Sequence, residues 1–247
     1  MSEMGRSVDF FGYLGDFTQR SLSRRISENK LIQIAPGIDV SHFTPGSNSK
    51  LRNSLGLEKQ KVIVSVGRLV HRKGQDRLIE ALPKIRQSIP DCQLLMIGEG
   101  PYRKRLEKFA VQHGVEGAVR FIGRVSYDLL PEYLRIGDLF AMPSRSRLFG
   151  LEVEGLGIVY LEASSVGLPV IAGDSGGAPD AVLHGETGYV VSGNNVDEIA
   201  SRCIEILTND PLRESMSQSG RKFAMDQWRW ENWSKRFNDL FILSKSK

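Results

Sequence analysis

The chain has 247 residues, 40% of them hydrophobic and 25% charged, with 33 Lys and Arg against 29 Asp and Glu for a net charge of +4. That is enough apolar residue for a sizeable core, and too mild a positive balance to argue for nucleic acid when nothing resembling a nucleic-acid module accompanies it. No apolar run approaches the roughly 20 residues that span a bilayer, the first 30 residues lack the apolar core of a secretion signal, and two cysteines are too few for a disulfide framework or a thiolate metal site, so the expected address is the cytosol.

Residues 1–30 contain a charged segment over 16–26 of helical character, and LIQIAPGID at 31–39 reads as a short strand closed by Pro36-Gly37. A turn-rich linker with Pro45, Gly46 and two asparagines fills 42–53. From residue 61 the pattern becomes regular. KVIVSVGRL (61–69) is a β-branched strand, and Leu78, Ile79, Leu82 and Ile85 have helical spacing within 75–87. CQLLMIG (92–98) and a helix over 102–113, with Pro101 at its start, repeat the unit. AVRFIG (118–123) is the third strand. Ser126 is placed to cap a helix running to about Ile136, with Asp128 in its first turn, and DLFAMP (138–143) is the fourth strand.

The stretch Glu154–Gly173 reads as a helix feeding a fifth strand, LPVIA (168–172); a short helix is expected over 175–184 and a sixth strand at GYVV (188–191). Amphipathic helices are expected over 196–207 and 211–224, and a last one from about Trp230 to Leu243. Near-continuous apolar strands alternating with helices predict an α/β fold with a doubly wound parallel sheet covered on both faces. Cys92 falls in a strand and Cys203 in a helix, both expected to be buried and inert; His42, His71, His113 and His184 are scattered without metal-ligand spacing.

In open α/β sheets, ligands bind beyond the carboxyl ends of the strands, so the residues just after each strand are the informative ones. Here those residues are Gly67-Arg68 and Arg72-Lys73-Gly74, then Gly98-Glu99-Gly100, Gly123-Arg124, Ser144-Arg145 and Gly173 to Gly177. Glycines allow close backbone approach, helix N-termini offer N–H groups, and Arg68 and Lys73 add positive charge, which suits a diphosphate. Neither G-x-G-x-x-G after the first strand nor G-x-x-x-x-G-K-[ST] occurs, which argues against NAD and against an ATPase. Two carboxylates, Glu154 and Glu162, bracket the helix start. Glu162 sits within the apolar run 158–163, where an unpaired charge is costly to bury; the ordinary alternative is that it faces water. A glycosidase pair of acid and nucleophile would leave the basic residues and glycine turns unused.

VGRLVHRKG, LLMIGEGPYRKRLE, VRFIGRV, EGLGIVYLEASSVGLPVIAGDSGGAPDAV and GETGYVV occur in that order over about residues 60–210. They resemble the donor-binding half of a retaining glycosyltransferase of family 4 with the GT-B architecture, and look most like its actinobacterial members that put mannose from GDP-mannose on phosphatidylinositol mannoside. The resemblance implies that Glu162 holds the ribose hydroxyls and Glu154 lies near the donor sugar. It also implies that Arg68 and Lys73 bind the diphosphate beside Gly67 and Gly98, that Gly123, Arg124 and Val125 lie by the base, and that Leu156, Gly157, Ile158 and Val159 present backbone N–H groups to phosphate. Arg68, Lys73 and Glu154 are the implied catalytic set, with a nucleoside diphosphate sugar as substrate and neither cofactor nor metal.

The implied organisation is a remnant of an N-terminal half and linker at 1–35, a Rossmann-like donor-binding domain at 36–225, and a crossover helix at 226–247. In that arrangement Trp228, Trp230 and Trp233 pack toward the N-terminal half, ordinary local core being the alternative. A lipid or glycan acceptor would then be held by a missing N-terminal half, with room for a peripheral contact at the inner face of a membrane. A non-catalytic nucleotide-sugar binding module, or an inactive truncated remnant, would share the same motifs. One departure from the similar mannosyltransferases is that a glycine-rich run before the first Glu is replaced here by Arg147-Leu148-Phe149-Gly150.

Overall fold

The computed structural model describes residues 8–245; residues 1–7 and 246–247, the ends of the expected N-terminal remnant and crossover helix, lie outside the described residues. Its centre is a six-stranded, wholly parallel sheet of β3 (Val62–Val66), β4 (Gln93–Ile97), β5 (Val119–Gly123), β6 (Leu139–Met142), β7 (Val170–Gly173) and β8 (Gly188–Val191). The strand order is β5-β4-β3-β6-β7-β8, so the chain steps outward from β3 in one direction, returns, and steps outward from β6 in the other. The reversal between β3 and β6 is a topological switch point, where a crevice opens at the strand ends.

The strands read VIVSV, QLLMI, LFAM and VIAG because both faces are covered. Val62, Val64, Phe140, Val170 and Ala172 pack on one side with α6 (Ile158–Val166), Trp228 and Trp233. Ile63, Leu94, Met96, Leu139 and Ile171 pack on the other with α3 (Gln75–Ser88) and α7 (Val196–Thr208). Each fully buried Val, Ile, Leu, Met or Phe among them stabilises the fold by about 1.5–3 kcal/mol relative to leaving it in water. Cys92 and Cys203 are free thiols in the second layer; burial raises both, Cys92 to about 12.

Several expectations are corrected. The 42–53 linker ends in a helix, α2 (Ser49–Ser54), because Asn48 Oδ1 accepts the Leu51 N–H (2.9 Å) and Arg52 donates to the carbonyls of Leu57 and Ile136. Ser126 makes no side-chain cap. Pro131 donates no N–H, so the segment begins as a 3₁₀ turn (Tyr127–Leu129) and continues only through α5 (Leu130–Leu134). The 175–184 helix shrinks to a 3₁₀ turn at Ala178–Ala181 between glycines and around Pro179. Phe11–Tyr13 (β1), read as part of no element, pairs in parallel with β2 (Leu31–Gln33).

α1 (Asp16–Ser23) follows β1, α4 is Arg103–Gln112, and α8 (Asp210–Gln227) and α9 (Trp230–Lys245) close the chain. The C-terminal turn is tied to the start of the domain: Ile38 donates to Trp228 O (2.7 Å) and Trp230 to Ile38 O (3.2 Å). Trp228 and Trp233 are core residues, whereas Trp230 is half exposed. Among the described residues no helix is long and apolar enough to cross a membrane.

Candidate functional site

The site starts at the end of β3. After Gly67 the chain runs to a 3₁₀ turn, His71–Lys73, stopped by Gly74 in the left-handed region. This turn delivers Arg72 and Lys73 to Glu154: Arg72 Nη1 donates to Glu154 Oε2 at 2.7 Å, and Lys73 Nζ to the same oxygen at 2.8 Å. Lys73 and Glu154 are 8% and 6% exposed, so this is a buried ion pair with a second cation at its open side. Burial holds the Lys73 ammonium below its ordinary value, with Glu154 acting in the opposite sense. The Glu154 backbone is fixed as well, its N–H donating to Ser175 Oγ (3.2 Å) and its carbonyl accepting from Gly177 (2.9 Å).

From Glu154 the chain turns into α6. Gly157 is its N-cap at φ 75°, where a Cβ would lie 2.4 Å from the Tyr160 ring, and no side chain caps the helix. The first turn therefore has open N–H groups. Tyr160, wholly buried, donates to Met142 O (2.7 Å) and fixes the helix against β6. One turn on, Glu162 is partly buried, with no hydrogen bond or ion pair to its carboxylate among the described residues; burial pushes it up to about 7, with His42 nearby working to lower it.

These groups enclose a pocket of about 400 Å³ lined by Leu14, Pro36, Val66, Gly67, Lys73 and Glu154–Val159, with Glu162. Of the residues singled out from sequence, Gly67, Lys73, Glu154, Leu156, Gly157, Ile158, Val159 and Glu162 are thus brought together. Arg68 is exposed, unpaired among the described residues, and outside the pocket lining. Gly98 and Gly123 sit at the neighbouring strand ends, Gly98 N donating to Gly123 O (2.7 Å); a Cβ on Gly98 would lie 2.1 Å from Gly67 O, so glycine there serves backbone crossing. Arg124 is exposed and Val125 packs against the core. Sequence reasoning placed Arg72 in the strand-end turn without giving it a role, and it did not single out Leu14 or Pro36 as site residues.

It also missed a buried network behind the cation turn. Arg145, 3% exposed, donates through Nη2 to Asp76 Oδ2 (2.6 Å) and to His71 Nε2 (2.7 Å), and its backbone N–H donates to Arg72 O (2.8 Å). Arginine has no acceptor, so His71 accepts at Nε2 and carries its proton on Nδ1. Burial and the Arg145 charge hold His71 below its ordinary value, which keeps it neutral. Asp76 lies in the first turn of α3, where a carboxylate is favoured, and also accepts from Tyr102 (3.4 Å). The only advance sign was Arg145 directly after a strand end. A larger cavity, about 800 Å³, opens between Asp16 and the C-terminal helices, but it contains none of Lys73, Glu154 or Glu162.

Comparison with known proteins places this geometry among relatives. GDP-mannose-dependent alpha-(1-6)-phosphatidylinositol monomannoside mannosyltransferase of Mycolicibacterium smegmatis is 39% identical over 243 residues, covering 97% of this chain and 64% of that protein. GDP-mannose-dependent monoacylated alpha-(1-6)-phosphatidylinositol monomannoside mannosyltransferase of Corynebacterium glutamicum is 40% identical over 245 residues, again 97% and 64%. The chain therefore spans just under two thirds of the length of these curated relatives. Among solved structures, Anabaena Alr3699/HepE in complex with UDP superposes with a TM-score of 0.87 at 23% identity, over 96% of this chain and 65% of that one. Sucrose-phosphate synthase from Thermosynechococcus elongatus gives 0.85 at 24%, over 98% and 60%. Those two likenesses establish the shared fold, one Rossmann-like half of the GT-B architecture. The model of the family described as Glycosyl transferases group 1 matches residues 47–223, and the chain belongs to that family.

Proposed function

We propose that the chain is the donor-binding half of a retaining mannosyltransferase. It would take mannose from GDP-mannose and pass it to a phosphatidylinositol mannoside at the cytoplasmic face of a membrane, the acceptor being held by a second half outside these 247 residues. The observation that carries this reading is Lys73, buried at the end of β3 and paired at 2.8 Å with Glu154, in a pocket whose lining also holds the unpartnered Glu162. The nucleotide, sugar and acceptor come from the names of the relatives.

In this reading the diphosphate lies against Lys73, Arg72 and the open N–H groups of α6, with Arg68 reaching it from the rim. The ribose hydroxyls donate to Glu162, and Val125 borders the base with Gly123 and Arg124. Glu154 has two tasks: it orients Arg72 and Lys73, and it meets the donor sugar. The sugar–diphosphate bond breaks as the acceptor hydroxyl bonds to the anomeric carbon from the same face. The hydroxyl proton goes to the departing phosphate oxygen. Cations already in place stabilise the charge growing on that oxygen without reorganising, which is the effective form of electrostatic catalysis.

Calorimetry with GDP, UDP and ADP tests the donor site, and GDP is expected to bind most tightly. Absence of binding for all three at millimolar concentration would overturn the reading. Transfer from GDP-mannose, assayed with the chain alone and with a supplied N-terminal half, separates an enzyme half from a binding module.

A further inference from the structure

The turn that carries Arg72 and Lys73 is gripped from two sides by a single loop. Glu154, at the loop's end, takes both cations on one oxygen. Arg145, at its start, holds the turn from behind: its backbone N–H donates to Arg72 O (2.8 Å), and its Nη2 donates to His71 Nε2 (2.7 Å) and to Asp76 Oδ2 (2.6 Å). His71 opens the turn and Asp76 lies in α3 just beyond Gly74, so one arginine spans the turn from end to end. Between Arg145 and Glu154 the loop closes a clasp, with Arg147 N–H donating to Glu152 O (2.9 Å) and the two side chains paired at 3.1 Å, and leaves Leu148, Phe149 and Leu151 at an exposed apolar tip.

The backbone beneath the turn is closely packed. A Cβ on Gly74 would lie 1.9 Å from Pro143 O, and one on Gly173 would lie 1.8 Å from Ser144 O. Ser144 Oγ is also 3.0 Å from the hydroxyl of Tyr160, the ring that fixes α6 against β6. Residues 143–145 therefore support both walls of the donor pocket, the cation turn on one side and the start of α6 on the other. As a source of stability the network behind the turn is poor. Arg145 and Asp76 are 3% and 4% exposed, yet Arg145 Nη1, Asp76 Oδ1 and His71 Nδ1 each lack a hydrogen-bond partner among the described residues. A buried ion pair recovers its desolvation only when its remaining donors and acceptors are satisfied, and apolar side chains of similar volume often serve stability as well. What the network supplies that apolar packing does not is direction, since three hydrogen bonds of 2.6–2.8 Å from one residue admit few placements of the turn.

We propose that Arg145, acting through His71 and Asp76, is the positioning residue of the diphosphate site: it fixes the cation turn so that Arg72 and Lys73 meet the donor's phosphates in one geometry. His71 is the adjustable member. Held neutral by burial and by the Arg145 charge, it keeps a lone pair on Nε2 for the guanidinium. It stands two positions before Lys73, so losing that one bond frees the turn at its start while the Asp76 ion pair and the backbone bond to Arg72 remain. The proposal rests on the reading that the pocket takes a nucleoside diphosphate, and adds what holds the phosphate end in place.

The test compares GDP with GMP on the 247-residue chain by calorimetry, because the ratio of the two affinities reports what the second phosphate gains from the turn. His71→Leu removes the acceptor and should lower GDP affinity by about fivefold to tenfold, part of the worth of a charge-assisted contact, while GMP stays within about twofold and the melting temperature changes little. His71→Gln, whose Oε1 can accept where Nε2 did, should restore the ratio. Arg145→Lys keeps a charge for Asp76 but loses the planar fork, and should depress the ratio as His71→Leu does. A ratio unchanged in His71→Leu would overturn the positioning role, and so would equal losses in the leucine and glutamine variants, which would mean that the ring only fills space. Should Arg145→Lys fail to fold, the two His71 variants decide. Wild-type preference for UDP or ADP sinks the GDP-mannose reading alone, and the ratio is then taken with that nucleotide and its monophosphate. A wild-type chain that binds none of the three removes the diphosphate site and the positioning role together.

Discussion

Glu154 and Glu162 line one pocket, yet the fold treats their charges in opposite ways. Glu154, in a loop pinned by Ser175 and Gly177, has two cations within 2.8 Å of one oxygen. Glu162, in a helix, has no partner among the described residues, and burial pushes it up to about 7. The cation end is therefore assembled before any ligand arrives, and the carboxylate end is left for a ligand to complete. A paired charge costs the fold little, whereas an unpaired one is a standing cost that a ligand offering hydroxyl donors can relieve.

The comparison can be broken first at its assembled end. Lys73→Ala removes a cation from the proposed diphosphate site, and in a reconstituted two-half enzyme turnover should fall by about 10²–10³, as for loss of an oxyanion-hole donor. It also leaves Glu154 buried with Arg72 alone, so the chain should lose about 1–3 kcal/mol in thermal or urea unfolding. Arg68→Ala is the control: exposed and unpaired, it should cost turnover while leaving stability within about 0.5 kcal/mol. Turnover within about threefold of wild type for Lys73→Ala would remove the cation turn from the mechanism.

The open end is tested by pH. Glu162 titrates near 7 in the fold and near its ordinary value of 4.5 when unfolded, so the folded state binds its proton more tightly. The sign is then fixed: this group's contribution to stability is greatest at low pH and is lost as pH rises from about 5 toward 8, by on the order of 1–2 kcal/mol for a partly buried site. Nucleotide affinity should move the other way, since only the ionised carboxylate accepts from both ribose hydroxyls. Glu162→Gln should flatten both profiles and weaken GDP binding by about tenfold, the worth of one charged hydrogen bond. Parallel profiles for wild type and variant would place the titration elsewhere.

How much of this could be read from residues alone depended on the range of the signal. From residue 61 onward the strands and most helices follow from apolar periodicity, and the pocket's core follows from the rule that strand ends carry ligands. That Arg72 joins Lys73 on Glu154 does not follow in the same way, because a three-residue turn ended by Gly74 decides which side chain points inward, and no periodicity encodes it. Asp76 and Arg145 are 69 positions apart, and their pairing exists only once β3 and β6 lie side by side. Leu14 and Pro36 reach the pocket from a segment whose strands are three residues long, too short for any pattern.

The smallest expected effect sharpens the same contrast from the backbone. If the Glu154 side is held by a loop under strain and the Glu162 side by an unstrained helix, relaxing the loop should stabilise the chain without disturbing the pocket. Leu148 and Phe149 sit at φ 50° and 55°, a region that costs a non-glycine residue about 1–2 kcal/mol. Glycine escapes that penalty but gives back about 0.5–1 kcal/mol through the greater freedom of its unfolded chain. Neither side chain is buried, so no packing is lost to offset the relief. Leu148→Gly and Phe149→Gly should therefore each raise stability by about 0.5–1 kcal/mol, and, being separated from Glu154 by the Arg147–Glu152 clasp, leave GDP affinity within about twofold. Urea unfolding and calorimetry on the double variant decide it. A loss of stability would mean that the apolar tip is held by contacts worth more than its strain, and a loss of GDP affinity would mean that the strain is transmitted through the clasp to Glu154.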